Sequence, residues 1–224
     1  MSLASEINNV GPILFRLLDN LLRAGSFPLG EEIIRFRSQI GFVRANYDPL
    51  IRTKTFADEL LECFTLAFDA NVKLGSLDRV LQALFVETPD VGFQTALVQS
   101  AIVYCLSTES RIIAGIEFKS RDDVEAMMKK MKAVFDTARE LAADQEDSAC
   151  YQSLTFLAGA LTQHLATTAR PLARMVKFTL PTNMPSLVLS QRLYYEASRS
   201  EELVEENKII HPAFCLREIR GLAS

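Results

Sequence analysis

From Leu14 to Leu165 apolar side chains recur three and four residues apart, in runs separated only by short polar breaks, and the pattern stops at Arg170-Pro171. A period near 3.6 held over so much of a chain commits it to amphipathic helices whose apolar stripes must bury against one another. With no Gly-rich hairpin turns in the same stretch, the expected body is an α-helical bundle over residues 1–172.

The individual helices can be placed from caps and breakers. Leu14, Leu17, Leu18, Leu21 and Leu22 follow Gly11-Pro12 and predict a first helix that ends at Ala24-Gly25. The stretch from Ser26 to Tyr47 is read as helical, although Ile33, Ile34, Phe36, Ile40 and Phe42 fit either period and Phe27-Pro-Leu-Gly reads as a turn. Thr55 to Val72 is the next helix, closed by Leu74-Gly75, with Ser76 as the expected cap of a further helix carrying Val80, Leu81, Leu84 and Phe85. Val91 to Ile116 is apolar almost all round, which predicts a central core helix. Ser120 with Asp123 resembles a helix-start cap, and Val124, Met127, Met128, Met131, Val134 and Phe135 continue from it as core filler. After the acidic loop Asp144-Gln-Glu-Asp, Cys150 to Ala169 resumes as a buried helix through Leu154, Phe156, Leu157, Ala160, Leu161 and Leu165.

Beyond Ala173 the period changes. Met175-Val-Lys-Phe-Thr-Leu alternates as a short strand does, and Pro181-Thr-Asn-Met-Pro is a turn. Ser186 is the expected N-cap of a helix through Leu187, Val188, Leu189, Leu193 and Tyr194, and Ser198 with Glu201 forms a capping box for another that ends near Asn207. Arg217-Glu-Ile-Arg-Gly-Leu is a second strand. The fold class is therefore mainly α, a helical body with a small βααβ module at residues 173–224, whose expected core is Val176, Phe178, Leu187, Leu193, Leu203 and Ile219.

Composition removes several function classes. A net charge of −4 provides no global attraction to nucleic acid, and the tightest basic cluster, Lys129, Lys130 and Lys132, lies among Asp122, Asp123 and Glu125 as a solvated helix face. Most of the Phe residues fall on apolar helix faces, and there is no Trp, so a stacking platform for single strands is not expected. Cys63, Cys105, Cys150 and Cys215 are isolated among apolar neighbours and read as buried free thiols. His164 is expected to be partly buried in its helix and His211 to hydrogen-bond backbone in a turn, so no metal site is expected at His211 and Cys215. No nucleophile elbow, phosphate loop or zinc-protease motif occurs, and the pairs Glu201-Glu202 and Glu205-Glu206 read as an acidic exposed face. The expectation is a protein with no enzymatic activity and no cofactor. Met-Ser-Leu-Ala-Ser-Glu lacks the regions of a signal peptide, and the uncharged stretches Val91–Thr108 and Ser148–Ala169 are broken by Gln, Ser and Thr. A soluble protein residing in a cytoplasm follows, with no membrane partner.

Tyr194, Tyr195, Phe214 and Leu216 are more aromatic and apolar surface than so small a module can bury alone, and they are the expected interface residues.

The run from Pro185 to Phe214, above all Ser186-Leu-Val-Leu, Arg192-Leu-Tyr, Ala197-Ser-Arg-Ser-Glu-Glu-Leu, Asn207 and His211-Pro212, resembles the carboxy-terminal end of the Mu-like phage tail proteins of the DNA circularisation (circulation) family. The match covers about the last forty residues. The resemblance implies a LysM-type βααβ module in which Leu203 and Asn207 match the Leu and Asn of the second helix, while Asn183-Met-Pro-Ser-Leu stands where such modules usually begin Gly-Asp-Thr-Leu. It further implies a structural component of a contractile tail, assembled in the bacterial cytoplasm and resident in the virion tail near the baseplate hub. Its partners would be hub and tape-measure proteins and further copies in a ring, with contact to DNA left open. The competing expectation is a peptidoglycan-binding module with a glycan groove beside Ser186 and Asn207.

Overall fold

The computed structural model describes residues 3–24, 30–90, 92–215 and 217–223. Its elements in chain order are α1 Leu3–Arg23, α2 Glu31–Thr53, α3 Phe56–Asp69, α4 Leu74–Phe85, α5 Phe93–Ala114, α6 Arg121–Asp144, α7 Ser148–Ala169, β1 Met175–Thr179, α8 Ser186–Tyr194, a 3₁₀ turn Ala197–Arg199, α9 Ser200–Glu206 and β2 Glu218–Leu222. The protein is mainly α, with a βααβ order at its C-terminal end. It packs as two compact units, residues 1–116 with 131–161, and residues 117–130 with 162–224. The second unit reaches back past residue 173 because the start of α6 is tied to the approach to β1. The Arg121 N–H donates to the Ala173 carbonyl at 2.9 Å, and the Met175 N–H to the Asp122 carboxylate at 2.6 Å.

In the first unit, α1 begins ahead of Gly11-Pro12 and carries Pro12 within it. Pro12 removes the bond to the Asn8 carbonyl, but both residues face solvent, where water can take that carbonyl, while Ile7 and Val10 extend the buried stripe. The ambiguous stretch becomes α2, with Ile33, Phe36, Ile40 and Val43 buried and Ile34 and Phe42 exposed, the pattern of a 3.6 period. Pro49 forces a break one turn earlier, at Asn46 (φ −119°, ψ 16°), whose side-chain amide donates to the Phe42 carbonyl at 2.9 Å. The turn Phe27-Pro-Leu-Gly begins outside the described residues, as does Gly25.

Two helix boundaries differ from expectation. α3 ends at Asp69 and the left-handed residue is Asn71 (φ 56°), so Leu74-Gly75 opens α4 instead of closing α3. Ser76 is consequently inside α4, buried, and accepts from Arg79 at 3.1 Å instead of capping. Gly92 precedes α5 at φ 106°, a conformation that glycine alone adopts without strain. α5 is the core helix its composition requires, with Leu97, Ala101, Ile102, Cys105, Leu106 and Ile113 among its buried residues. The Ser120 cap forms as read, its hydroxyl accepting from the Asp123 N–H at 3.2 Å and contacting the Asp123 carboxylate at 2.7 Å.

The expectation of α7 as a buried helix is corrected. Only Leu154, Leu161, Leu165 and Ala169 are buried, one stripe at spacings of seven and four, while Phe156 is 81% exposed and His164 also lies outside. An uncharged composition made the helix look buried on all sides, but Gln, Ser and Thr cover its outer face without charge. No helix among the described residues is long and apolar enough to cross a membrane.

The four cysteines are free, with Cys63, Cys105 and Cys215 buried and Cys150 half-buried. Burial, aided by Glu59 and Glu62, pushes the Cys63 thiol up to about 12, and burial with Asp147 takes Cys150 to about 11. Burial also raises Cys105 and Cys215. Thiols whose folded pKa is raised stabilise fully below the unfolded value of 9.0 and lose that contribution as pH climbs through the folded one. Urea midpoints are therefore expected to fall progressively above pH 9.0 toward about 12, and a flat midpoint there would contradict the burial of these groups. An aromatic disulfide reagent should label Cys150 first in native protein, and all four in denaturant.

Candidate protein-interaction surface

β1 and β2 pair antiparallel, with Val176 opposite Gly221 and Phe178 opposite Ile219. Beyond the strand ends, the Leu180 N–H donates to the Arg217 carbonyl at 2.6 Å and the Ala223 N–H to the Arg174 carbonyl at 2.7 Å. Even-numbered residues of β1 therefore form the hydrogen-bonded pairs. The helices cover one face of this ribbon around Leu189, Leu203, Cys215 and Ile219, with Phe178, Leu180, Leu193, Tyr194 and Ile209 packed against them.

Phe178, Leu193, Leu203 and Ile219 of the expected core are thus inside or against it, but Val176 and Leu187 are exposed. Val176 shares the inner face of the ribbon but is left partly uncovered, whereas for Leu187 the cause is helix register. α8 starts after Pro185 as cap, with Ser186 its first residue, and the Ser186 N–H donates to the Pro212 carbonyl at 2.7 Å. Ser186, Leu189, Ser190 and Leu193 then fall inward at spacings of three and four, which turns Leu187 and Val188 out. The expected Ser198 capping box is also absent, because residues 197–199 form a 3₁₀ turn in which the Ser198 hydroxyl reaches the Glu196 carboxylate at 2.6 Å.

The outer face of α8 is apolar and exposed. Leu187 (58% exposed), Gln191 and Tyr195 (87% exposed) lie at successive fours, with Val188 and Arg192 beside them. Met184, Leu187, Val188, Gln191, Arg192 and Ala197 line an open groove on it, and the Arg192 guanidinium is held against the Met184 sulfur at 3.3 Å. The Met184–Cys215 bridge adjoins this groove and sets alternation there. Cys215 points into the core and Phe214 out, 66% exposed, with its ring 5.5 Å from that of His211.

Of the four expected interface residues, Tyr195 and Phe214 are therefore on the surface and Leu216 lies outside the described residues. Tyr194 is packed inward. The Arg199 guanidinium stacks on its ring at 3.8 Å, and burial, then Glu202, pushes its hydroxyl pKa up. Leu187, Val188 and the fully exposed Ile210 were missed by composition. A helical-wheel reading anchored on Leu189 in place of Leu187 would have found the first two.

The polar residues are occupied elsewhere. Ser186 is buried, and the Asn207 amide donates to the Arg220 carbonyl at 2.7 Å and accepts from the Arg220 N–H at 2.6 Å, so neither lines the α8 groove. Asn207 thereby serves as a strand substitute on the outer edge of β2. His211 accepts from the Ala213 N–H at 3.3 Å, the turn role read from sequence, while Cys215 is in the core. Among the described residues no group of three metal-ligating side chains converges. Glu202 pairs with Arg199 at 2.9 Å and Glu205 with Lys119 at 3.1 Å. No protein-family model matches the chain, and no curated protein is significantly similar to it.

Proposed function

We propose that this protein is a structural subunit of a contractile phage tail, at or near the baseplate hub, that acts through protein–protein contacts made by its C-terminal unit and is not a catalyst. The observation that carries the reading is the exposed apolar face of α8 with Tyr195 and Phe214, a surface of the kind that partners cover. The resemblance of residues 185–214 to the ends of Mu-like tail proteins supports the choice of assembly, with hub and tape-measure proteins and a ring of copies as partners.

The test is a full-length chain with Leu187→Asp and Val188→Asp, positions exposed enough to leave the fold intact. In a host producing the phage, the variant should be made and folded but excluded from tails, and particles should be tailless or unsheathed. Normal assembly with loss of adhesion to purified cell wall would instead establish the glycan-binding role and overturn the assembly role.

A further inference from the structure

The two edges of the C-terminal ribbon are not equivalent. On β2 the outward N–H and carbonyl of Arg220 are both taken by the Asn207 amide. On β1 the outward residues, by the same register, are Met175, Lys177 and Thr179. The Met175 N–H is held by Asp122, and the N–H and carbonyl groups of Lys177 and Thr179 meet no partner among the described residues. Lys177 also sits directly opposite Arg220 in a non-hydrogen-bonded pair, where side chains come closest. Both project from the ribbon face opposite Phe178 and Ile219, and both are exposed. Glu218 shares that face, opposite Thr179, yet forms no ion pair with either cation. Two like charges facing each other across strands weaken the ribbon, and an acid brought up to Lys177 from the open side of β1 would offset that repulsion.

We infer that the free edge of β1 is a docking site for an extended acidic segment of a partner protein, which adds as a third strand and sets a carboxylate beside Lys177, on its side away from Arg220. Backbone groups of Lys177 and Thr179 supply the strand pairing, and Lys177, with the positive field of Arg220 behind it, selects the partner. A lysine on an open edge repels indiscriminate strand addition, so the same side chain that admits an acidic strand refuses a basic one. This surface is on the far side of the ribbon from α8 and stands independently of the assembly role.

The probe is a short capped peptide of alternating valine and glutamate, titrated into the full-length protein, with the lysine counterpart as control. Saturable binding of the glutamate peptide is expected, roughly tenfold or more tighter than the control and weakened by salt. Thr179→Pro removes an outward N–H that β2 does not use and should abolish binding with the melting midpoint nearly unchanged. Lys177→Glu should raise the midpoint, by replacing like charges with opposite ones, and still lose the glutamate peptide. Equal affinity for the two peptides, no binding to the unaltered protein, or retained affinity in both variants would overturn the inference.

Discussion

Leu203→Asp is expected to unfold the second unit while the first keeps its helices. Leu203 is fully buried in α9 and belongs to the small cluster with Leu189, Cys215 and Ile219, which holds the helices to the ribbon. A carboxylate there has no partner, and its burial should cost more than about 4 kcal/mol, beyond what so small a core supplies. The measurement is urea unfolding of the full chain followed by backbone amide exchange in β1 and β2. Loss of protection in both strands is expected, with α5 still protected. Leu203→Met, close in volume, should cost under about 1.5 kcal/mol. A Leu203→Asp protein with protected strands would show that the cluster is not what holds the unit.

Gly221→Ala should also be severe, for a reason of shape. A Cβ at that position would run into the Tyr194 hydroxyl and come within 3.2 Å of the Leu203 side chain and 3.3 Å of the Phe178 ring. Overpacking of this sort is expected to cost about 3 kcal/mol. Tyr194→Phe removes the oxygen while keeping the ring under Arg199. That hydroxyl is buried without a hydrogen bond of normal geometry, the Leu222 N–H lying near enough to temper its pKa but not to satisfy it. Tyr194→Phe alone should therefore be neutral or stabilising by about 1 kcal/mol. Combined with Gly221→Ala it should recover about 1 kcal/mol or more of the loss beyond its own single effect, a coupling that a double-mutant cycle reads directly. Strict additivity would mean that the two groups do not touch.

Much of the second unit was legible from residue order. The alternation of Met175 to Leu180, the turn at Pro181 to Pro185, the apolar spacing from Leu187 to Leu203 and the run Arg217-Glu-Ile-Arg-Gly-Leu place two strands and two helices where they occur. Sequence periodicity could not say which of Leu187, Val188 and Leu189 faces inward, because three consecutive apolar residues satisfy a helix face in any rotation. The packing of Leu189 against Leu203, Cys215 and Ile219 settles it. The candidate surface follows from that one rotation.

Local chemistry by itself determined the helical body, the positions of most breaks, the Ser120 cap and the βααβ order. Each of these depends on backbone propensity, capping and the spacing of apolar side chains within a few turns. Tertiary structure alone decided that Pro12 lies inside α1, that α7 buries a single stripe and leaves Phe156 in solvent, that Asn207 closes one edge of the ribbon, and that Lys177 stands opposite Arg220 beside the other. Those outcomes depend on which residues meet across long stretches of chain. Burial and strand register are properties of pairs of surfaces, and no single segment carries them.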